Sequence, residues 1–337
     1  MRTIKIALTV ILALAASLQI AKAQDKSGFH VSQRFAIGGD GGWDYLTFDA
    51  AANRLYISRS TRVMVVDTEA GKLVGEIPGT AGVHGIAIVP KLGRGLTSNG
   101  KDNSATIFDL KSLKVLGTVK TGSKPDAIVF DAFSGHVFVG NGKSDDITVI
   151  DPEKAEVVAT IALEGNPEFI VSDGSGRVFV NIESTGSTTV IDARTNKVLN
   201  NWKLEGCEEP TGLSMDIKNR RLFAGCHNEA VIVLDADTGK NLAKLSTGKG
   251  LDATAYDPEL HLVFTSNGAG TVTVIKQQSP DIYSVVENVA TARGSKTMAL
   301  DKASHKLYLG AVKFTEGDTA AKPAALPNSF EVLVVTK

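Results

Sequence analysis

Four acidic residues, Asp44, Asp126, Glu168 and Asp252, recur along this 337-residue chain at separations of 82, 42 and 84, multiples of one period near 42. Carboxylates brought around a narrow rim repel and desolvate one another. They then either hold their protons more tightly or recruit a cation, a basic ligand group or a nearby Lys or Arg. His84 and Trp43 fall at neighbouring positions and add an imidazole and an aromatic wall, while Lys296, Arg293 and Arg59 are placed to supply internal compensating charge. The pattern points to a site for a small polar ligand or a divalent cation, with Asp44, Asp126, Glu168 and Asp252 as the candidate metal ligands. The competing expectation is a wet channel whose charges are met by water and by these cations.

Two further sets share the period. Asn99, Asn141 and Asn267 occupy matched positions, with Arg59 and Cys226 replacing Asn in two repeats. Asn there caps a turn, because it tolerates left-handed backbone and bonds its own loop, and any ligand contact is a secondary use. Cys207 and Cys226 are expected to face the same mouth as the acids, and two cysteines in an exported protein usually pair. The closed loop of about 20 residues would restrict the unfolded chain by roughly 3 kcal/mol. The alternative is a soft metal site of Cys207, Cys226 and His227, which lacks the C-x-x-C spacing.

What must position these residues is a repeat. Short apolar segments end at Asp49, Pro90, Asp131, Asp173, Asp216, Asp257 and Asp301, stepping by 41, 41, 42, 43, 41 and 44 residues. Each is followed by a second segment such as Arg54-Leu-Tyr-Ile-Ser58 or His136-Val-Phe-Val-Gly140. A third closes on an apolar residue plus Asp, as in Val66-Asp67 and Leu234-Asp235, and a more polar fourth follows. The runs are four to six residues long, β-branched and aromatic, and punctuated by Gly, Asn and Asp, which reads as strand and not helix. Seven four-stranded antiparallel sheets must cover one another's faces, so the expected fold is an all-β seven-bladed β-propeller. The last unit lacks a fourth strand, and Phe29–Ile37 looks like a fourth strand without a blade, so the N-terminal strand is expected to complete the last blade and close the ring.

In a propeller, the loops entering the inner strands and those joining second to third strands gather at one mouth. Counting back five or six residues from each repeat end places Trp43, Asp44, His84, Asp126, Glu168, Asp252 and Lys296 there. His136, His261 and His305 fall on the opposite side. The long segment Val312 to Ser329 is expected either to flap over the channel or to be a disordered decoration.

Residues 1–23 read as a signal peptide: Arg2 and Lys5 precede an apolar run from Ile6 to Ile20 that ends in Ala21-Lys22-Ala23. Residues 24–29 are then a short leader and 30–337 the propeller. With no cysteine at the cleavage point, the product is expected to be periplasmic or secreted and not a lipoprotein, a monomer with no transmembrane segment. Removing Arg2, Lys5 and Lys22 from the 36 basic residues leaves 33 against 37 acidic ones, a formal charge of −4. That is not the electrostatic signature of a nucleic-acid binder.

The phrases Leu55-Tyr-Ile-Ser58, Val137-Phe-Val-Gly-Asn141, Val263-Phe-Thr-Ser-Asn267 and Thr271-Val-Thr-Val-Ile275, with the Asp-x-x-Thr-Gly-Lys-type turn, resemble the YVTN-type or YncE-like β-propeller repeat proteins of exported bacterial origin. The resemblance covers residues 30 to 337 and speaks for the fold. It implies no single chemistry, because that family is held together by scaffold residues.

The leading functional expectation is a binding module for a small polar ligand, a peptide or an envelope component. A metal-assisted hydrolase or lyase, lactonase-like, using the channel carboxylates and His84, is the alternative, and an interaction scaffold is the third. No G-x-S-x-G elbow, H-E-x-x-H helix, phosphate loop or haem C-x-x-C-H is present, which favours binding over catalysis.

Overall fold

The computed structural model describes residues 27–315 and 324–337. The signal-peptide reading of residues 1–23 and the tip of the 312–329 segment lie outside the described residues. Within them the chain forms seven four-stranded antiparallel sheets. Their inner strands are Leu46–Asp49, Val83–Val89, Pro125–Asp131, Pro167–Ser172, Pro210–Asp216, Leu251–Asp257 and Met298–Asp301, in blades 1 to 7. Each inner strand packs on the next, and the seventh returns to the first, so the sheets close into a ring.

The acids that end the strands make the turns. Asp131 Oδ2 accepts the Ser134 N–H at 2.8 Å, and Asp257 Oδ1 accepts the N–H groups of Glu259 and Leu260, each at 3.0 Å. Blade 2 has proline in place of that acid, and its fixed φ starts a single 3₁₀ turn, Pro90–Leu92, ended by Gly93 at φ 61°. The third-strand acids act alike: Asp67 Oδ1 accepts from Glu69 and Ala70 at 2.9 and 2.8 Å.

The second strands supply the core between blades. Tyr56, Phe138, Phe179, Phe223, Phe264 and Tyr308, one from each of six blades, are fully buried. Blade 2 carries Leu96 at the equivalent place, and its aromatic comes from the third strand as Phe108, whose ring fills the space where a Cβ on Gly95 would stand. Burying such a side chain stabilises by about 2–3 kcal/mol each, so this interleaved layer holds the ring together. The fourth strands are half exposed, and they carry apolar pairs as well as polar residues, such as Leu116 and Leu199 at 53% and 47% exposure.

Blade 7 is completed from the other end of the chain. His30–Ala36 pairs antiparallel with Glu331–Thr336, outside Lys306–Ala311 and Met298–Asp301. Arg34 reinforces this seam through its 2.5 Å ion pair with Glu331. Cys207 and Cys226 form a disulfide with a Cα–Cα distance of 5.4 Å, which ties the loop entering blade 5 to the end of that blade's second strand. Both sulfurs are thereby consumed, so the alternative of a soft metal site built on them does not hold. No helix among the described residues is long and apolar enough to cross a membrane.

Candidate functional site

The position five residues before the turn that ends each inner strand lies at or close to the strand's start, at one mouth. Around the ring that position reads Asp44, Gly85, Asp126, Glu168, Thr211, Asp252 and Lys296. Four of them are fixed by the blade next to them. Ser98 of blade 2 donates to the Asp126 carbonyl, Thr211 of blade 5 to the Asp252 carbonyl at 3.1 Å, and Ser266 of blade 6 to the Lys296 carbonyl. Thr297 of blade 7 donates to the Asp44 carbonyl at 2.5 Å, and Ser58 accepts the Asp44 N–H at 3.1 Å. Blade-to-blade hydrogen bonds thus hold the backbone of the rim, and the side chains at its centre are left to face one another.

Tyr45 forms the floor. It rises from blade 1, stacks on Phe169 of blade 4 with ring centroids 5.4 Å apart, and donates its hydroxyl to the Glu168 carbonyl at 2.9 Å. A side chain that reaches from the first blade to the fourth crosses the channel and separates the mouth from the rest of the bore. Burial, followed by the charges of Asp126, Glu168, Asp44 and Asp252, raises its hydroxyl well above the usual phenol range.

Above this floor the acids act on one another. Burial pushes Asp126 up to about 6, with His84 opposing and Asp44 adding to the rise. Burial and then the charges of Asp126, Glu183, Asp252 and Asp44 push Glu168 up to about 8. Asp252 is also raised by burial, against the pull of Lys296 3.7 Å away, and that same acid raises Lys296. Burial alone would lower His84, but its hydrogen bond to Asp44 and the charges of Asp126 and Asp44 outweigh this and raise it.

His84 Nδ1 lies 2.6 Å from Asp44 Oδ2 and 3.7 Å from Asp126 Oδ1. The imidazole lies over Gly100, where a Cβ would stand 2.9 Å from Nε2. A cleft of about 430 Å³ opens beside this group, lined by Trp43, Asp44, His84, Gly100, Lys101 and Lys124 among others. Across the mouth a second group of possible ligand atoms, from Glu183, Glu209 and His227, lies within 4.8 Å of one another, more exposed than the first.

The structure therefore brings Trp43, Asp44, His84, Asp126, Glu168, Asp252 and Lys296 to one mouth. It sends the other expected residues elsewhere. Arg59 is fully buried and faces away from the acids; its guanidinium stacks 3.9 Å above Phe330 and donates to the carbonyls of Gly39 and Gly41 at 2.9 and 3.0 Å. The glycine-rich loop offers it carbonyl oxygens within reach, which explains its direction. Asn99, Asn141 and Asn267 are buried inside their blades and donate to third-strand hydroxyls, those of Thr106, Thr148 and Thr273 at 2.8, 2.9 and 2.9 Å. They clamp strand to strand, with only the Asn141 Oδ1 left without a partner, buried inside its blade. Arg293 lies 5.8 Å over the Phe314 ring. Three residues of the mouth escape the sequence pattern: Tyr45, Lys124 and Glu183. Tyr45 was detectable as one of two aromatics immediately following a rim acid, the other being its stacking partner Phe169, whereas the other two sit in loops with no repeat signature.

No protein-family model matches the chain, and no curated relative matches it. Solved structures do. Kuenenia stuttgartiensis hydrazine synthase aligns with a TM-score of 0.72 and 17% identity over 81% of this chain and 94% of that one. The structure of U3-55K aligns with a TM-score of 0.78 and 12% identity over 91% of this chain and 99% of that one. At these identities the likeness establishes the seven-bladed β-propeller fold and nothing about activity.

Proposed function

We propose that this chain is an exported β-propeller binding protein whose ligand, a small positively charged or hydrogen-donating molecule, sits in the acidic mouth above Tyr45. The carrying observation is that Asp126, Glu168 and Asp252, from blades 3, 4 and 6, all hold their protons more tightly than usual at one rim, with Asp44 adding its charge. A ligand that brings positive charge relieves that crowding, so the strain of the empty rim becomes binding energy. Rigid backbone anchoring from blade to blade supports the same reading, since little ordering remains to be done on binding. The disulfide fits an oxidising compartment, and the second-strand phrases support kinship with the YncE-like propellers.

A second reading, metal-assisted hydrolysis or elimination, is favoured by one feature. His84 is hydrogen-bonded to Asp44 at 2.6 Å, and Glu168 keeps its proton to about 8, so a general base and a general acid share one mouth.

The test is a thermal-shift series on the full chain at low salt with putrescine, a lysyl dipeptide and neutral sugars. Saturation at about 100 times Kd stabilises by about 2.7 kcal/mol, which for a chain of this length raises Tm by about 4 °C. The rise should vanish in Glu168→Gln combined with Asp252→Asn. No shift with any cationic or neutral compound would sink the binding reading, and turnover of a lactone would promote the second.

A further inference from the structure

The acids of the mouth are not equivalent, and their differences single out one corner of it. Asp126 is 8% exposed, yet no side chain or backbone donor among the described residues hydrogen-bonds its carboxylate; the nearest charged group is His84 Nδ1 at 3.7 Å. With its side chain 12% exposed and no donor from the chain, this carboxylate is left to water or to a ligand from outside. Asp44, two blades away, and His84, from the blade between, place their ligand atoms beside it, all three within 4.8 Å of one another. Their supports are firm: the backbones on either side are pinned by Ser58, Thr297 and Ser98, and Gly100 fixes the imidazole from behind.

We infer that Asp44 Oδ2, His84 Nδ1 and Asp126 Oδ1 bind one divalent first-row transition ion, held across blades 1, 2 and 3 with its free positions turned to the channel axis. The proposal rests on reading this mouth as a ligand site and names the ligand. Bonds of about 2.0–2.2 Å from such an ion to nitrogen and oxygen keep its donors about 3 Å apart. That spacing lies between the 2.6 and 3.7 Å separations of His84 from its two partners, and all three ligand atoms lie within 4.8 Å of one another, so side-chain rotation without backbone movement can close them on an ion. The donor set decides the ion. One imidazole with two carboxylates suits zinc, cobalt or manganese, whereas calcium needs six to eight oxygens and magnesium an octahedral shell of oxygen and water. Three protein ligands leave an open coordination position, the hallmark of a site that takes up a further ligand and not of a purely structural one.

The experiment uses the full chain, stripped with EDTA and dialysed. Isothermal titration with ZnCl₂ should show one tight equivalent, and CoCl₂ should give visible d–d absorption that ZnCl₂ bleaches. CaCl₂ in tenfold excess should not compete. His84→Ala and Asp126→Asn should each weaken zinc binding by at least about 100-fold, as loss of a direct ligand exceeds the 10–100-fold typical of its supports. His227→Ala, which removes the imidazole of the other group at this mouth, should leave the tight equivalent in place. Far-UV circular dichroism confirms that each variant is folded. No stoichiometric binding, or binding lost in His227→Ala and untouched in His84→Ala, overturns the proposal. If zinc fails while putrescine still shifts Tm in a Glu168-dependent way, the metal falls and the acidic-mouth reading stands.

Discussion

Replacing Glu168 with glutamine isolates the electrostatic crowding at the mouth. Burial, then Asp126, Glu183, Asp252 and Asp44, moves this carboxyl group from 4.5 to about 8 in the folded chain. The unfolded chain releases the same proton near 4.5. The folded form therefore binds it more tightly, and the stability this group contributes is complete below 4.5, falls as pH rises, and is gone above about 8. The displacement sets a ceiling of roughly 5 kcal/mol. Water reaches the partly exposed side chain at the mouth and screens it, so about 2 kcal/mol is expected. Glutamine preserves the shape of the neutral acid and has nothing to titrate. Urea unfolding of both proteins at pH 5, 7 and 8.5, with EDTA present throughout, should give a stability difference below about 1 kcal/mol at pH 5 that grows to about 2 kcal/mol in favour of the variant at pH 8.5. The difference reports Glu168 together with the relief its loss gives the acids coupled to it. Parallel pH profiles would refute the claim that four carboxyl groups converge here.

Two other outcomes follow from the packing. Changing Cys207 and Cys226 together to alanine should lower stability by about 3 kcal/mol in urea, with a steeper dependence on denaturant because the unfolded chain is no longer restrained; unchanged stability would mean the cross-link is not formed. Arg59→Lys should cost about 2–4 kcal/mol, since an ammonium group cannot both stack on Phe330 and span the Gly39 and Gly41 carbonyls. A loss below about 0.5 kcal/mol, the range of an ordinary surface substitution, would show that the buried guanidinium does not hold that loop.

The fold could be read from the chain because each local signal repeats seven times. Asp131 and Asp257 close their turns through the same N–H bonds, and Phe138 and Phe264 fill the same inter-blade slot, so one misjudged element is corrected by six others. Counting back from the turn acids was enough to gather Asp44, Asp126, Glu168 and Asp252, since position along an inner strand fixes height in the channel. Side-chain direction was another matter. Arg59 stands at the end of a second strand, where charge toward the mouth is the natural expectation. It turns instead to the carbonyls of a loop that precedes blade 1, and only the folded loop reveals those acceptors. Asn99 and Asn267 reach across to the third strand because Thr106 and Thr273 stand seven and six residues on, a pairing that depends on register. The plug formed by Tyr45 and Phe169 joins residues from opposite sides of the ring, and no period along the sequence encodes a contact across its centre.

The seam of blade 7 joins Arg34 to Glu331, 297 residues apart, so a strand made early waits for one made far later. Closing a loop of that size costs about 5 kcal/mol of chain entropy. Until it closes, two bare sheet edges remain open to mispairing with other chains. The Thr297–Asp44 bond joins the blade so completed to blade 1, so the mouth acquires its final geometry only when the ring is shut. If the mouth binds a ligand as proposed, a truncated copy would lack that geometry, and such binding would double as a readout of completed folding.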